Sequence, residues 1–174
     1  MTAMTPIDRP RRGSIRSNPA VGAAQPFLEE KTNLRVRFNE VDVLQIVWHG
    51  HYANYFEEGR RAFGRRYGVD YTVFLQHQVA VPVIQLRIDY FRPALLSDML
   101  EITARLFRSE TARLNFEYEI RRSPDQALLA SGSTIQVFTT PKGDLLLTWP
   151  DFMLERLESW RTLWKQPLPQ SPSR

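Results

Sequence analysis

Cysteine is absent from this 174-residue chain, which excludes a disulfide framework, a thiol nucleophile and a thiolate-bound metal. Histidine is scarce. The three present, His49, His51 and His77, lack the spacing of a zinc site, so neither a metal nor a cofactor is expected. No apolar run approaches the length of about 18 residues that crosses a bilayer. Early Pro, Asp and Arg residues also break up any apolar core of a secretory signal. A glycine-rich phosphate loop is missing too, which leaves nucleotide chemistry without support. These absences predict a soluble, cytoplasmic protein with no membrane span.

What is present is an ordinary globular composition with a net charge of +4. The location of that charge decides what it means. Arg9, Arg11, Arg12 and Arg16 against Asp8 give residues 1–20 a net of +3. Arg161, Lys165 and Arg174 give residues 161–174 another +3, which leaves the middle at −2. A nucleic-acid domain concentrates basic charge on its folded surface; here the excess sits at the ends, so no nucleic-acid partner is expected. Residues 1–30 hold few large apolar side chains and read as a disordered basic tail. Residues 31–165 read as one domain, long enough for a sizeable core. Residues 166–174, with Pro167, Pro169 and Pro172, read as a second tail.

Within the domain, Leu34 to Phe38 alternates apolar and polar as a half-buried strand does. From about Gly50 to Tyr67, the residues Tyr52, Tyr55, Phe56, Gly59 and Phe63 fall at i, i+3, i+4, i+7 and i+11, one apolar stripe on a helix. Glu57 and Arg61 stand at i, i+4 on the other side. Gly59 within the stripe costs roughly 1 kcal/mol of helix propensity, which predicts close approach of the helix to a sheet. Gly68 fits a left-handed cap, and a short helix is expected over residues 70–75. Four strand-like runs follow, over residues 84–90, 100–107, 113–121 and 127–140, the last apolar or small throughout. Their turn-rich connections make neighbours antiparallel. Leu145 to Leu147 reads as a short returning strand, and Trp149-Pro150-Asp151 opens a final helix with Phe152, Leu154, Leu157, Trp160 and Trp164 on its apolar face. The fold class is α+β, a helix laid on an antiparallel sheet. One main helix leaves part of the sheet in need of cover, which predicts a dimer.

The chemistry concentrates between Asp42 and Arg60. Asp42, Ile46-Val47-Trp48-His49, Tyr52 and Phe56-Glu57-Glu58-Gly59-Arg60 together resemble the hotdog-fold thioesterases of the 4-hydroxybenzoyl-CoA thioesterase and YbgC-like branch. The Asp-to-His separation of seven matches, as does Arg92-Pro93 after a strand. The resemblance covers roughly residues 33–140. It implies a hotdog fold, an antiparallel sheet wrapped around a long central helix. It also implies hydrolysis of acyl-CoA or acyl carrier protein thioesters at the interface of a homodimer or homotetramer. Asp42 and His49 are the implied catalytic residues, with Gln45, Trp48, His51, Tyr52 and Phe56 as candidates for substrate binding. Where the family usually has Gly, three residues after the Asp, this chain has Gln45. The turn there is expected to change shape, or Gln45 to face the pocket.

Thioester hydrolysis needs an activated water or a nucleophile, and donors for the oxyanion that forms. Asp42 suits either of the first two roles, and free amides at a helix start suit the last. Glu57 and Glu58 read most simply as partners of Arg60 and Arg61. Two other readings stay open: a hotdog hydratase or dehydratase using His51 with Glu58, and a non-catalytic acyl-thioester binder.

Overall fold

The computed structural model describes residues 25–166. Strand β1 (Phe27–Arg35) leads through a 3₁₀ turn (Phe38–Glu40) and a loop into helix α1 (His51–Tyr67). Helix α2 (Tyr71–Gln76) follows, then strands β2 (Val83–Tyr90), β3 (Met99–Phe107), β4 (Arg113–Arg122) and β5 (Leu128–Val137), and helix α3 (Asp151–Ser159). The five strands form one sheet in the order β1-β3-β4-β5-β2, with every neighbouring pair antiparallel. This is the α+β layout of a helix held against an antiparallel sheet.

Alternation builds the core. Leu100, Ile102, Ala104 and Leu106 of β3, with Leu114, Phe116, Tyr118 and Ile120 of β4, point to the same side of the sheet and are buried. The expected stripe of α1 lies on them. Phe56 stacks on Tyr118 with ring centroids 4.5 Å apart, and Phe63 meets Phe116 edge-on at 5.1 Å. Each such burial contributes about 1.5–3 kcal/mol. Gly59 explains itself: a Cβ there would stand 2.8 Å from Ile102 Cγ2, so the glycine lets α1 settle onto β3. The helix ends at Gly68, left-handed at φ 69°, whose amide donates to the Gly64 carbonyl. Asp70 then caps α2, its carboxylate accepting from the amides of Thr72 and Val73.

Several expectations need correction. The first strand runs from Phe27 to Arg35, so residues 27–30 belong to the sheet and not to a tail. Its charged residues are used there: Glu29 pairs with Arg105, Glu30 with Arg66 and Lys31 with Glu101. Phe38 leaves the sheet and is exposed in the 3₁₀ turn. The rest of the expected basic tail, residues 1–24, and all of the C-terminal tail after Gln166 lie outside the described residues. On α1 the ion pairs run i, i+3, joining Glu57 to Arg60 and Glu58 to Arg61 in place of Glu57 to Arg61. The last strand stops at Val137; beyond it Thr139 makes isolated bridges to Ala80 and Leu145, and Leu145 to Leu147 forms no strand. In α3 the buried residue is Met153, backed by Trp160 at its end, while Leu154 is exposed.

β2, although it precedes β3 in sequence, lies at the far edge beside β5. α1 packs chiefly over β1, β3 and β4 and meets β2 through Tyr52 against Tyr90. Ile84, Leu86 and Tyr90 are exposed there.

Candidate active site

Asp42 stands near the tip of a tight hairpin between the 3₁₀ turn and α1. Its amide donates to the Ile46 carbonyl at 2.9 Å, and the Trp48 amide donates to the Glu40 carbonyl at 2.9 Å, so residues 40–42 and 46–48 are its two arms. Gln45 closes the tip. Its amide donates to the Asp42 carbonyl, and its φ of 64° is left-handed. Gln45 thus takes a conformation that glycine adopts freely, at a cost in strain. The arm carrying Ile46 and Val47 is held against residues 94–95 by the Val47 amide, which donates to Ala94 O, and by the bridge between Ile46 and Leu95.

The Asp42 side chain is exposed. One oxygen, Oδ1, accepts from the Leu44 amide at 2.8 Å, a turn-forming bond. Among the described residues Oδ2 has no hydrogen-bond partner. The carboxylate thus shapes its loop with one oxygen and offers the other.

The arm ends in the bend Trp48-His49-Gly50 that starts α1. The His51 amide donates back to Trp48 O, and the Tyr52 amide to His49 O at 3.4 Å. The amides of His49 and Gly50 donate to nothing among the described residues. Two free N–H groups at the positive end of a 17-residue helix are suited to hold a developing oxyanion. The Trp48 ring lies over Gly50: a Cβ there would fall 1.9 Å from Trp48 Cζ3 and would push the ring aside. The Trp48 ring, half-exposed, contacts both His49 and His51, with centroids 4.7 Å and 5.7 Å away.

The structure brings Asp42, Gln45, Trp48, His49 and His51 together on the hairpin and the start of α1. The His49 ring is exposed, and His51 is half-buried with Nδ1 3.3 Å from Asn54 Nδ2. Tyr52 and Phe56 lie deeper, both buried in the core. Tyr52 acts as a strut, its hydroxyl accepting from the Ala94 amide at 3.0 Å. His77 lies elsewhere, stacked on Phe152. Glu57 and Glu58 are engaged by Arg60 and Arg61.

Two residues that sequence reading passed over hold the bend in place. Glu40 is buried, and its Oε2 accepts from the Tyr55 hydroxyl at 2.9 Å and the Arg37 amide at 2.8 Å. Tyr90, from β2, donates its hydroxyl to the His49 carbonyl at 3.0 Å and packs edge-on against Tyr52. Burial pushes the hydroxyls of Tyr55 and Tyr90 above their ordinary range, and the Glu40 carboxylate pushes Tyr55 up further. Both therefore stay protonated and donate. No signal in the sequence marks either residue, because each acquires its role from a partner 15 or 41 positions away.

The acyl-CoA thioester hydrolase YbgC of Escherichia coli is 26% identical over 108 residues, covering 62% of this chain and 80% of that protein. The chloroplastic acyl-acyl carrier protein thioesterase ATL3 of Arabidopsis thaliana is 26% identical over 112 residues, 64% of this chain. The chain spans only 59% of the length of ATL3. Among solved structures, a DHNA-CoA thioesterase from Staphylococcus aureus superposes with a TM-score of 0.69 at 21% identity, over 78% of this chain and 92% of that one, a likeness of fold. A family model matches residues 36–157, from the end of β1 into α3, and the chain accordingly belongs to the thioesterase-like superfamily.

Proposed function

We propose that the protein hydrolyses acyl thioesters of CoA or of an acyl carrier protein, with Asp42 as the chemical group and the His49–Gly50 bend as the oxyanion site. The observation that carries this reading is the pairing of a carboxylate oxygen without a partner and two amides without acceptors on one short hairpin. The family and the relatives named above support the reaction class.

The chemistry balances without a metal or cofactor. As a base, Asp42 takes a proton from water while the water oxygen attacks the thioester carbon. The carbonyl oxygen becomes an oxyanion facing the free amides, the C–S bond breaks, and the proton passes to the departing thiolate. As a nucleophile, Asp42 would attack the carbon itself and release the thiol. Water would then cleave the resulting mixed anhydride. Both routes require the ionised carboxylate and the same oxyanion donors. His49 and Trp48 flank the reacting carbonyl, and Gln45 and His51 line the approach.

The reading includes a symmetric homodimer, or a tetramer built from it, in the cytoplasm. Among the described residues β2 is an edge of the sheet, and it carries exposed Val83, Ile84, Leu86 and Tyr90, while Val43 and Leu44 project from the hairpin tip into solvent. An apolar edge of this kind pairs readily with a second copy. A second copy would also cover Asp42 and strengthen its electrostatics.

Replacing Asp42 with Asn or Ala tests the proposal. Thiol release from acyl-CoA is expected to fall by about 10²–10⁴-fold with an unchanged circular dichroism spectrum, and Asn, which keeps an acceptor for the Leu44 amide, should also leave the melting temperature near wild type. An Asp42→Ala protein that turns over at the wild-type rate overturns the mechanism.

A further inference from the structure

The two free amides at the start of α1 are not held alike. Each belongs to a planar, trans peptide group, so its N–H points opposite to the carbonyl of the residue before it. The His49 N–H is therefore aimed by the Trp48 carbonyl, and the Gly50 N–H by the His49 carbonyl. Trp48 O accepts from the His51 amide at 2.9 Å, a full hydrogen bond. His49 O has from the helix only the Tyr52 amide at 3.4 Å, longer than such a bond ordinarily runs. The helix thus fixes the His49 amide firmly and the Gly50 amide loosely.

Tyr90 makes up the difference. Its hydroxyl donates to His49 O at 3.0 Å, the shorter of that carbonyl's two bonds. Tyr90 is itself held at both ends. Its backbone lies opposite Ala130 in the ladder between β2 and β5, and the amides of the next two residues, Phe91 and Arg92, both donate to Leu129 O. Its ring packs edge-on against Tyr52 with centroids 5.1 Å apart, and the Tyr52 hydroxyl is tied to the Ala94 amide. A bond to a carbonyl also polarises its peptide group, which makes the N–H on the far side a stronger donor.

We propose that Tyr90 is a positioning residue for thioester hydrolysis: through the His49 carbonyl, its hydroxyl locks and polarises the peptide group that presents the Gly50 N–H to the oxyanion. The inference rests on the thioesterase reading above. It adds a link from the sheet to the site, because β2 then sets the aim of one of the two donors. Tyr90 acts here without touching the substrate, so its loss should lower kcat and leave KM in place.

The test is Tyr90→Phe, which keeps the ring against Tyr52 and removes only the donor. Tyr90 is half-exposed, so the variant should fold as the wild type does. Loss of a direct oxyanion donor costs about 10²–10³-fold in kcat, and loss of a group acting one peptide away should cost about tenfold. The substrate is whichever of acetyl-, dodecanoyl- and benzoyl-CoA the wild type cleaves fastest, and KM should stay within about twofold. An unchanged kcat would make Tyr90 a structural strut, and a raised KM with unchanged kcat would make it a substrate contact; either overturns the inference. A loss of activity that comes with a change in sedimentation places the effect in assembly and overturns it too. Amide NMR reads the positioning without turnover. In Tyr90→Phe the Gly50 ¹⁵N resonance should move upfield, while that of His49, whose peptide carbonyl is held by His51, stays. If the wild type cleaves none of the three thioesters, the thioesterase reading fails instead. The Gly50 resonance then decides the positioning alone: a selective shift supports it, and an unmoved resonance overturns it.

Discussion

Over β3 and β4 the inward apolar side chains are shut away from solvent, whereas on β2, on the same side of the same sheet, Leu86 and Tyr90 stand 47% and 48% exposed. The strands themselves are similar: each alternates, and β2 (VIQLRIDY) is as apolar as β3 (MLEITARLF). The difference comes from what lies above them. α1 seats on the β1, β3 and β4 half through Gly59 and its aromatic stripe, and the other half is left for something else. On the closed half, burial stabilises the fold. The open half carries the His49–Gly50 bend, Tyr90 and the edge of β2, where the chain does not complete its own packing. Substitutions on the closed half should therefore cost stability, and those on the open half should cost assembly or turnover.

The largest effect is expected from the closed half. Ile102 is fully buried beneath Gly59, and Ile102→Ala should destabilise the protein by about 2–5 kcal/mol in chemical denaturation. A loss below 1 kcal/mol would mean that the closed half is not packed as described. On the open edge, Ile84→Lys should leave unfolding within about 0.5 kcal/mol of wild type. It should weaken self-association by about 3 kcal/mol, because a symmetric interface meets the new charge twice. Analytical ultracentrifugation reads this as a shift toward monomer; an unchanged sedimentation profile would remove β2 from the interface.

The outer side of the closed half is charged, which adds a pH dependence. Arg105 bridges Glu29 at 2.7 Å and Glu119 at 2.9 Å. Burial pushes both carboxyls up, but Arg105, helped by Lys165 at Glu29 and Arg121 at Glu119, more than offsets it and holds both below the ordinary 4.5. A lowered folded-state value means stability that is present above the ordinary range and lost as pH falls below about 4.5. Arg105→Met should cost on the order of 2 kcal/mol at neutral pH and move the acid unfolding midpoint to higher pH. An acid midpoint equal to that of wild type would show that the bridge contributes nothing.

These same residues show where sequence reading succeeds and where it stops. The stripe from Tyr52 to Phe63 was legible because a helix repeats within a short window. β1 was partly hidden because Glu29 and Glu30 look like solvent-facing tail until Arg105 and Arg66 arrive from elsewhere in the chain. Asp42 and His49 were legible as a motif, through resemblance and not periodicity. Glu40 and Tyr90 were not legible, since their meaning depends on Tyr55 and on the His49 carbonyl. The open half itself has no signature in its own residues; it is defined by where α1 ends up.

Gln45 is the smallest test, and it separates shape from chemistry at the site. Its left-handed φ of 64° costs an L-residue about 1–2 kcal/mol. Glycine would remove that strain but lose up to about 1 kcal/mol in unfolded-state entropy. Gln45→Gly should therefore stabilise the protein by less than about 1 kcal/mol, a shift visible in thermal melts. Gln45→Ala keeps the strain and removes the side chain, so its stability should stay near wild type. The two variants divide the remaining possibilities. If the side chain helps select the acyl group, both change relative kcat/KM across acyl-CoAs. If Gln45 serves only to close the turn, neither does, and Gly alone raises the melting temperature. A Gln45→Gly protein less stable than Gln45→Ala would mean that the turn is not under the strain its φ implies.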